Sequence, residues 1–342
     1  MAIEAADRRP LGRTGLTVTP LGFGSAPIGG LYRPVADDDA IAAVRRAWDL
    51  GMRLFDTAPL YGYGAAERRV GRGLAGRPRD EYVLSTKVGR LVLESGRVPP
   101  GADVDPQMLD GRVDGAYADV AGRSIVFDYS ADGIRRSLEA SLARLGVDRI
   151  DVALIHDPDD HWEAAIEEAF PALARLRGEG VIRAIGAGMN QSAMLVRFAR
   201  EGDFDVFLLA GRYTLLDQDA LDDLMPLCIE RGIAVMIGGV MNSGILADPR
   251  PGGRFNYQAA PAAIVDRAQR LAAVCARHGV PLKAAALQFP LAHPAVASVV
   301  AGVRSVAHLD EYPVLLAEPI PAALWDDLRA EGLLPAGAPT SS

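Results

Sequence analysis

One recurring pattern limits what this 342-residue chain can fold into. Short, almost uninterrupted apolar runs alternate with stretches of helical spacing. Strands are expected near Gly22 (within Pro20 to Ala26) and at Arg53–Thr57, Tyr82–Val88, Ile150–His156, Val181–Gly186, Val206–Ala210, Ala234–Gly238 and Ser298–Val303. Between them the spacing predicts helices, beginning after Asp37, Asp38 and Asp39, which suit a helix N-terminus, and ending at Gly51. The others are expected at Ala65–Ala75, Ser130–Leu145, Trp162–Glu179, Gln191–Arg200, Gln218–Arg231, Pro261–His278, Leu282–Ala292 and Val306–Leu316. Strands apolar on both faces belong to parallel sheets covered by helices. Eight strand–helix units is the number that closes a ring, so the expected fold is α/β, a (β/α)8 TIM barrel. The competitor, a doubly wound open sheet, carries a glycine-rich phosphate loop after its first strand. Gly22-Phe-Gly24-Ser-Ala-Pro27 does not continue into one.

Two stretches fall outside the alternation. Arg9 to Val18, with a turn at Arg13 to Gly15, reads as a small N-terminal β-hairpin. Residues 89–129, about forty in number, show no clear period and contain Pro99, Pro100, Asp103, Asp105 and Pro106. A long loop directly after the third strand is expected to act as a lid over the barrel mouth. The Ala/Pro/Ser-rich tail 335–342 is expected to fray, and the whole of 1–342 to form a single domain.

A formal charge of −8 and a pI near 5.2 argue against a nucleic-acid partner. Cys228 and Cys275 stand alone, which indicates neither a disulfide framework nor a metal site. Met1 to Pro10 has no apolar core of the signal-peptide kind, and the most apolar run, Gly232 to Leu246, is broken by glycines, Asn242 and Ser243. The reading is a soluble cytoplasmic protein with no membrane partner.

The chemistry gathers at strand ends. Asp56 closes the second strand, Tyr61 follows in a Pro/Gly turn, and Lys87 and His156 close the third and fourth. Taken singly, each has an ordinary structural reading as a cap, a rim aromatic, a snorkelling lysine or a core histidine. In one barrel all four would meet on one face. A lysine, held by a carboxylate, would lower a phenol's pKa from about 10, giving a tyrosine able to exchange protons near neutral pH. Asp157, Trp162, Arg212 and Tyr213 are candidates for contacting a polyol substrate at the mouth.

The motifs Leu11-Gly-Arg-Thr-Gly-Leu16, Phe55-Asp-Thr-Ala-Pro-Leu-Tyr-Gly62, Leu84-Ser-Thr-Lys87, Leu154-Ile-His-Asp157 and Arg183-Ala-Ile-Gly186 leading to Asn190 resemble the aldo-keto reductase superfamily over residues 9–318. The resemblance implies a catalytic set of Asp56, Tyr61, Lys87 and His156, with Tyr61 as acid/base. It implies a nicotinamide dinucleotide bound without a Rossmann domain, at Gly24, Asp56, Asn190, Gly239, Val240, Asn242, Ser243, Gly244, Leu246, Gly302, Arg304, Ser305, His308 and Glu311. Phe127-Asp-Tyr-Ser130, His156-Asp-Pro-Asp-Asp160, Gly188-Met-Asn-Gln191 and Leu209 to Asp217 resemble the branch of D-threo-aldose 1-dehydrogenases (L-fucose dehydrogenases) and pyridoxal 4-dehydrogenase. That branch implies oxidation of a sugar or hemiacetal. The alternatives are pyridoxal as substrate, a general NADPH-dependent carbonyl reductase, and a cofactor-sensing binding module with little turnover. Gly302 and His308 stand where many members carry cations for a 2′-phosphate, Tyr312 replaces an asparagine, and Gly238 replaces an aromatic. NAD is the expected cofactor, with NADP as the alternative.

Overall fold

The computed structural model describes residues 7–106 and 116–341. Eight parallel strands close a ring: β1 (Leu21–Gly24), β2 (Leu54–Asp56), β3 (Val83–Val88), β4 (Val152–His156), β5 (Ala184–Met189), β6 (Val206–Ala210), β7 (Ala234–Gly238) and β8 (Val296–Gly302). Each pairs with its sequence neighbour, and β8 pairs with β1. Around them lie α1 (Asp37–Asp49), α2 (Ala65–Leu74), α3 (Ala131–Leu145), α4 (162–178), α5 (Ala193–Glu201), α6 (Leu224–Arg231), α7 (Ala262–Arg277), α8 (Leu282–Gln288), α9 (Val306–Ala317) and α10 (Ala322–Ala330).

Side-chain alternation decides what the ring contains. On β4, Val152 and Leu154 join an inner cluster with Leu54, Val83, Ala184, Val206 and Met236. Ala153 and Ile155 join the larger outer layer beneath the helices with Phe55, Leu84 and Ile185. Continuing that period points Asp56, Lys87, His156 and Asn190 inward at the carboxyl ends of their strands. Thr86, between two inward positions, points out instead and donates to Glu67 of α2 at 2.8 Å, and Arg144 of α3 closes on the same carboxylate. The N-terminal hairpin pairs Arg9 with Val18, and its Leu11, Leu16 and Val18 plug the opposite end of the barrel.

Several boundaries differ from expectation. The fifth strand starts at Ala184 rather than Val181, because Gly180 turns the chain in the left-handed region and Val181 is left exposed. It continues through Gly186 and Gly188, where a Cβ would meet Val206 O at 1.8 Å and Lys87 Cε at 3.3 Å. The glycines that looked like a strand end are therefore the space that lets β6 and Lys87 approach. Gln218 to Asp223 form turns, so α6 begins only at Leu224. The helix α10 and a hairpin after β7, Arg254–Phe255 with Gln258–Ala259, lie outside the expected alternation.

The stretch after β3 is not a structureless loop. Arg90–Glu94, Val104–Asp105 and Arg123–Phe127 form a three-stranded antiparallel sheet; residues 107–115 of the expected lid lie outside the described residues. The Asp128 N–H donates to Gly89 O at 2.9 Å, so the excursion leaves and rejoins the barrel at one point. Residues 335–341 of the expected frayed tail lie against the fold. Ala338 is buried, and Arg329 donates to Ala338 O and Thr340 Oγ1. No helix among the described residues is long and apolar enough to cross a membrane.

Candidate active site

Lys87 Nζ donates to Asp56 Oδ2 at 2.7 Å and to Thr57 O at 3.0 Å, with both side chains almost wholly buried. Ser85 Oγ donates to the other Asp56 oxygen at 3.0 Å. The ammonium lies 4.7 Å from the centre of the Tyr61 ring, and the His156 ring meets Tyr61 edge-on at 5.8 Å. The expected four side chains are thus together. Tyr61 is delivered by a turn that presses Gly62 against the segment Pro27–Gly29. A Cβ on Gly62, which has φ +60°, would lie 2.1 Å from Gly29 O.

Charge in this pocket is governed by burial. Burial and the cations of Arg90 and Lys87 hold His156 well below the usual imidazole range, so the ring is neutral. Burial raises the Asp56 carboxyl and outweighs the pull of Lys87 and Ser85. The Tyr61 phenol is raised well above 10, first by burial and then by Asp56, Tyr117, Tyr257 and Asp157. That corrects the sequence expectation of a phenol lowered by Lys87. The lysine's charge is matched by Asp56, and burial takes the phenol out of the bulk solvent that would stabilise a phenolate.

The rim is built largely by residues the sequence did not single out. Tyr129 OH donates to His156 O at 2.7 Å and fixes that strand end. Arg90, the first residue of the inserted sheet, donates to Asp105 Oδ2 at 2.6 Å and lies 3.6 Å from Asp157 Oδ2. Asp103 is bonded to His161 at 2.7 Å, so the sheet is tied to the β4 loop twice. Tyr117 places its ring 6.2 Å from Tyr61. From the far side, Tyr257 OH donates to Asn190 Oδ1 at 3.2 Å, and the Arg254 guanidinium lies over Tyr32 at 5.0 Å. Tyr32 and Tyr257 both have left-handed backbones, φ 68° and 65°, a strain that collects at functional rims. The advance signals were the motif Phe127-Asp-Tyr-Ser130 for Tyr129 and, for Arg90, Tyr117, Tyr32 and Tyr257, no more than a place in the stretches that follow strand ends.

Of the polyol candidates, Asp157 is at the mouth. Arg212 instead fastens the β7 hairpin, donating to Asn256 Oδ1 at 2.9 Å. Trp162 packs against Phe198 at 4.7 Å beneath the Arg197 guanidinium, in the helix layer. Tyr213 is fully buried against Phe289 and His293. Neither aromatic reaches the mouth, because both belong to the outer apolar layer.

A dinucleotide fits the remaining rim. Gly24 and Gly302 face each other across the β8–β1 seam, and the buried hydroxyls of Ser25 and Thr57, at the ends of β1 and β2, have no partner among the described residues. Four left-handed positions crowd the loop after β7: Gly239, Asn242, Ser243 and Gly244. Val240 and Leu246 anchor it with buried side chains. Asn242 accepts from Thr214 Oγ1 and donates to Gly211 O, so its amide fastens the loop. Ser243 Oγ accepts the Tyr257 N–H. What this loop offers an anion is backbone and the Ser243 hydroxyl proton. At α9, Ser305 caps the first turn by accepting the His308 N–H, and the His308 side chain is exposed. Arg304 donates to Leu31 O at 3.1 Å and is lowered by burial and by the charge of Arg33, so its guanidinium, one residue before the Ser305 cap, puts a cation at a helix N-terminus. Glu311 is ion-paired with Lys283, and Tyr312 OH donates to Gly302 O at 3.1 Å. No group of three or more metal-ligating side chains occurs among the described residues.

Residues 20–330 match the Aldo/keto reductase family. The chain is 44% identical to the pyridoxal 4-dehydrogenase of Microbacterium luteolum, over 98% of this chain and 100% of that protein. It is also 44% identical to the D-threo-aldose 1-dehydrogenase of Pseudomonas sp, covering 94% and 96%. Among solved structures, the holo form of an aldo-keto reductase from Bacillus halodurans superposes with a TM-score of 0.72 at 26% identity, covering 97% and 98%. The chain belongs to the aldo/keto reductase family and is an NAD(P)-dependent oxidoreductase.

Proposed function

We propose that this family member oxidises an aldose of the L-fucose or D-threo type at C1 to the lactone, with NAD as hydride acceptor. The observation that carries the reading is the buried Lys87–Asp56 pair beneath the Tyr61 ring, with a neutral His156 across from it and the Asp157 carboxylate at the mouth. The roles follow from the charges. Tyr61 takes the proton of the anomeric hydroxyl. Its own proton must leave first, so a phenolate precedes the transfer, and the Lys87 ammonium, 4.7 Å from the ring centre, faces it. The neutral imidazole of His156 donates a hydrogen bond to the substrate oxygen as it becomes a carbonyl. The bound nicotinamide supplies the acceptor for the hydride leaving C1. Asn190 would hold its carboxamide, the loop after β7 its pyrophosphate, and Arg304 with the α9 N-terminus its adenosine end. NAD is favoured over NADP because Gly302 and the exposed His308 stand where many family members carry cations for a 2′-phosphate, which leaves Arg304 to meet the adenosine end.

Oxidation of the hemiacetal of pyridoxal is the second reading. It is favoured by the Tyr117 ring beside Tyr61, which suits a flat aromatic substrate, and by the equal identity to both dehydrogenases. The test is a panel of L-fucose, D-arabinose and pyridoxal with NAD and with NADP, followed by absorbance of the reduced cofactor. Tyr61→Phe should bind NAD normally and lose roughly 10²–10⁴-fold in turnover. Reduction of simple aldehydes by NADPH with no oxidation in the panel would replace this reading by a general carbonyl reductase. Tight cofactor binding with no turnover in either direction would replace it by a binding module.

A further inference from the structure

Asp157 is held more firmly than a loop residue needs to be. Its backbone is left-handed, φ 39°, a conformation that costs a non-glycine residue of order 1 kcal/mol and persists only where the surroundings enforce it. Here they do. Its N–H donates to Gly188 O at 3.0 Å, and its carbonyl accepts from Tyr129 OH at 3.3 Å and from Arg90 Nη2 at 3.4 Å. Glycine would suit such a backbone better. What aspartate adds is the carboxylate.

That carboxylate is underused. One oxygen accepts a single long bond from Asn190 Nδ2, 3.3 Å. The other has Arg90 Nη2 and His156 Nε2 each at 3.6 Å, near enough to feel their charge and polarity but outside hydrogen-bond range. A carboxylate has about four lone-pair sites, and this one, with a single protein bond and its side chain 18% exposed, turns free sites to the mouth. Arg90 could have closed on it, but Asp105 takes the short bond at 2.6 Å. The inserted sheet therefore supplies a cation and at the same time holds it off. Burial carries the Asp157 carboxyl up to about 6 despite Arg90, which leaves it ionised at neutral pH and ready to accept.

Its place beside His156 Nε2 says what it accepts from. If His156 orients the oxygen on the reacting carbon, as in the proposed function on which this inference rests, the hydroxyl on the adjacent carbon lies one hydrogen-bond length farther along the same wall. We infer that Asp157 is a specificity-determining residue: it accepts a hydrogen bond from a hydroxyl on the carbon next to the one oxidised. The substrate class is then a 2-hydroxy hemiacetal, an aldose with its C2 hydroxyl intact, rather than a deoxy sugar or a simple hemiacetal.

The experiment compares NAD-dependent oxidation of D-arabinose and of 2-deoxy-D-ribose, which is the same pentose without the C2 hydroxyl, by wild type, Asp157→Asn and Asp157→Ala. Wild type should prefer D-arabinose in kcat/KM by about 10- to 100-fold, the worth of one hydrogen bond to a charged group. In both variants that ratio should collapse to about threefold or less, mainly through the KM for D-arabinose. A wild-type ratio near one, or a ratio that survives in both variants, overturns the inference while leaving the aldose reading standing. No oxidation of either pentose by wild type overturns the aldose reading itself, and this inference with it.

Discussion

Breaking the buried pair beneath Tyr61 tests the electrostatic reasoning most sharply. In Lys87→Met, Asp56 keeps only the Ser85 hydroxyl as a side-chain donor, 3.0 Å away, in a site where 2% of its surface is exposed. In Asp56→Asn, the Lys87 ammonium keeps Thr57 O and an amide oxygen but no countercharge. Removing one partner of a buried pair costs about 3–5 kcal/mol. At roughly 2.1 cal/mol/K per residue, the unfolding entropy of a chain this size is about 0.7 kcal/mol/K, so each single variant should melt about 4–7 °C lower. Lys87→Met and Asp56→Asn together remove both charges, and the double variant should be more stable than the worse single variant by at least about 1 kcal/mol. The pH sign can be stated too. Burial already places the Asp56 carboxyl above its ordinary value, and without Lys87 it rises further, so the folded state keeps a proton that the unfolded state has lost. The deficit of Lys87→Met should therefore shrink as pH falls toward the ordinary carboxylate value of about 4 and grow as pH rises through the folded-state value. Thermal and urea unfolding across the acidic-to-neutral range check this cycle. Losses that simply add in the double variant, or single variants within about 1 kcal/mol of wild type, would refute it.

Because burial holds the Tyr61 proton in place, oxidation, which needs the phenolate, should speed up as pH rises above neutral, while aldehyde reduction, which needs the phenol, stays flat; pH–rate profiles in both directions check this. Gly89→Ala should cost more than about 1 kcal/mol and lower turnover, because φ is +93° there and the new Cβ would lie 2.1 Å from the Tyr129 ring that steadies His156; denaturation and steady-state kinetics read both effects. Gly302→Lys returns a cation to the adenosine end, where the nearest obstacle is Pro27 Cγ at 3.3 Å. The ratio of kcat/KM with NADP to that with NAD should rise about tenfold, the equivalent of one charge-assisted hydrogen bond.

The ring of strands was legible because a strand covered on both faces must be apolar throughout, and β6 and β7 match their expected spans residue for residue. The inward set Asp56, Lys87 and His156 was legible because burying a charged group at the end of an apolar run is costly unless a partner waits there, whereas Asn190 was reached only through the family resemblance. The fifth strand was misplaced because Gly186 and Gly188 look like punctuation when their neighbours cannot be seen. The rim stayed hidden for a different reason. Arg90, Asp105, Tyr117 and Tyr257 acquire their meaning from pairings across long separations and from turns with left-handed tyrosines, neither of which leaves a period in the chain. The expected pull of Lys87 on Tyr61 failed for a related reason: proximity was readable, but the exclusion of water was not.

The bond from Asp128 to Gly89 has a consequence for how such a protein can change. Because the inserted sheet is closed at its base, the chain leaves and rejoins the barrel at one point, and what lies between can change length without moving Lys87 or α3 so long as the Arg90 and Asp103 ties to the β4 loop are kept. The Lys87–Asp56 pair and the contacts that wall the mouth are thereby carried on different segments of the chain. A lineage can trial new tenants at the mouth by exchanging one cassette, and a protein engineer can do the same by transplanting residues 90–127 between barrels.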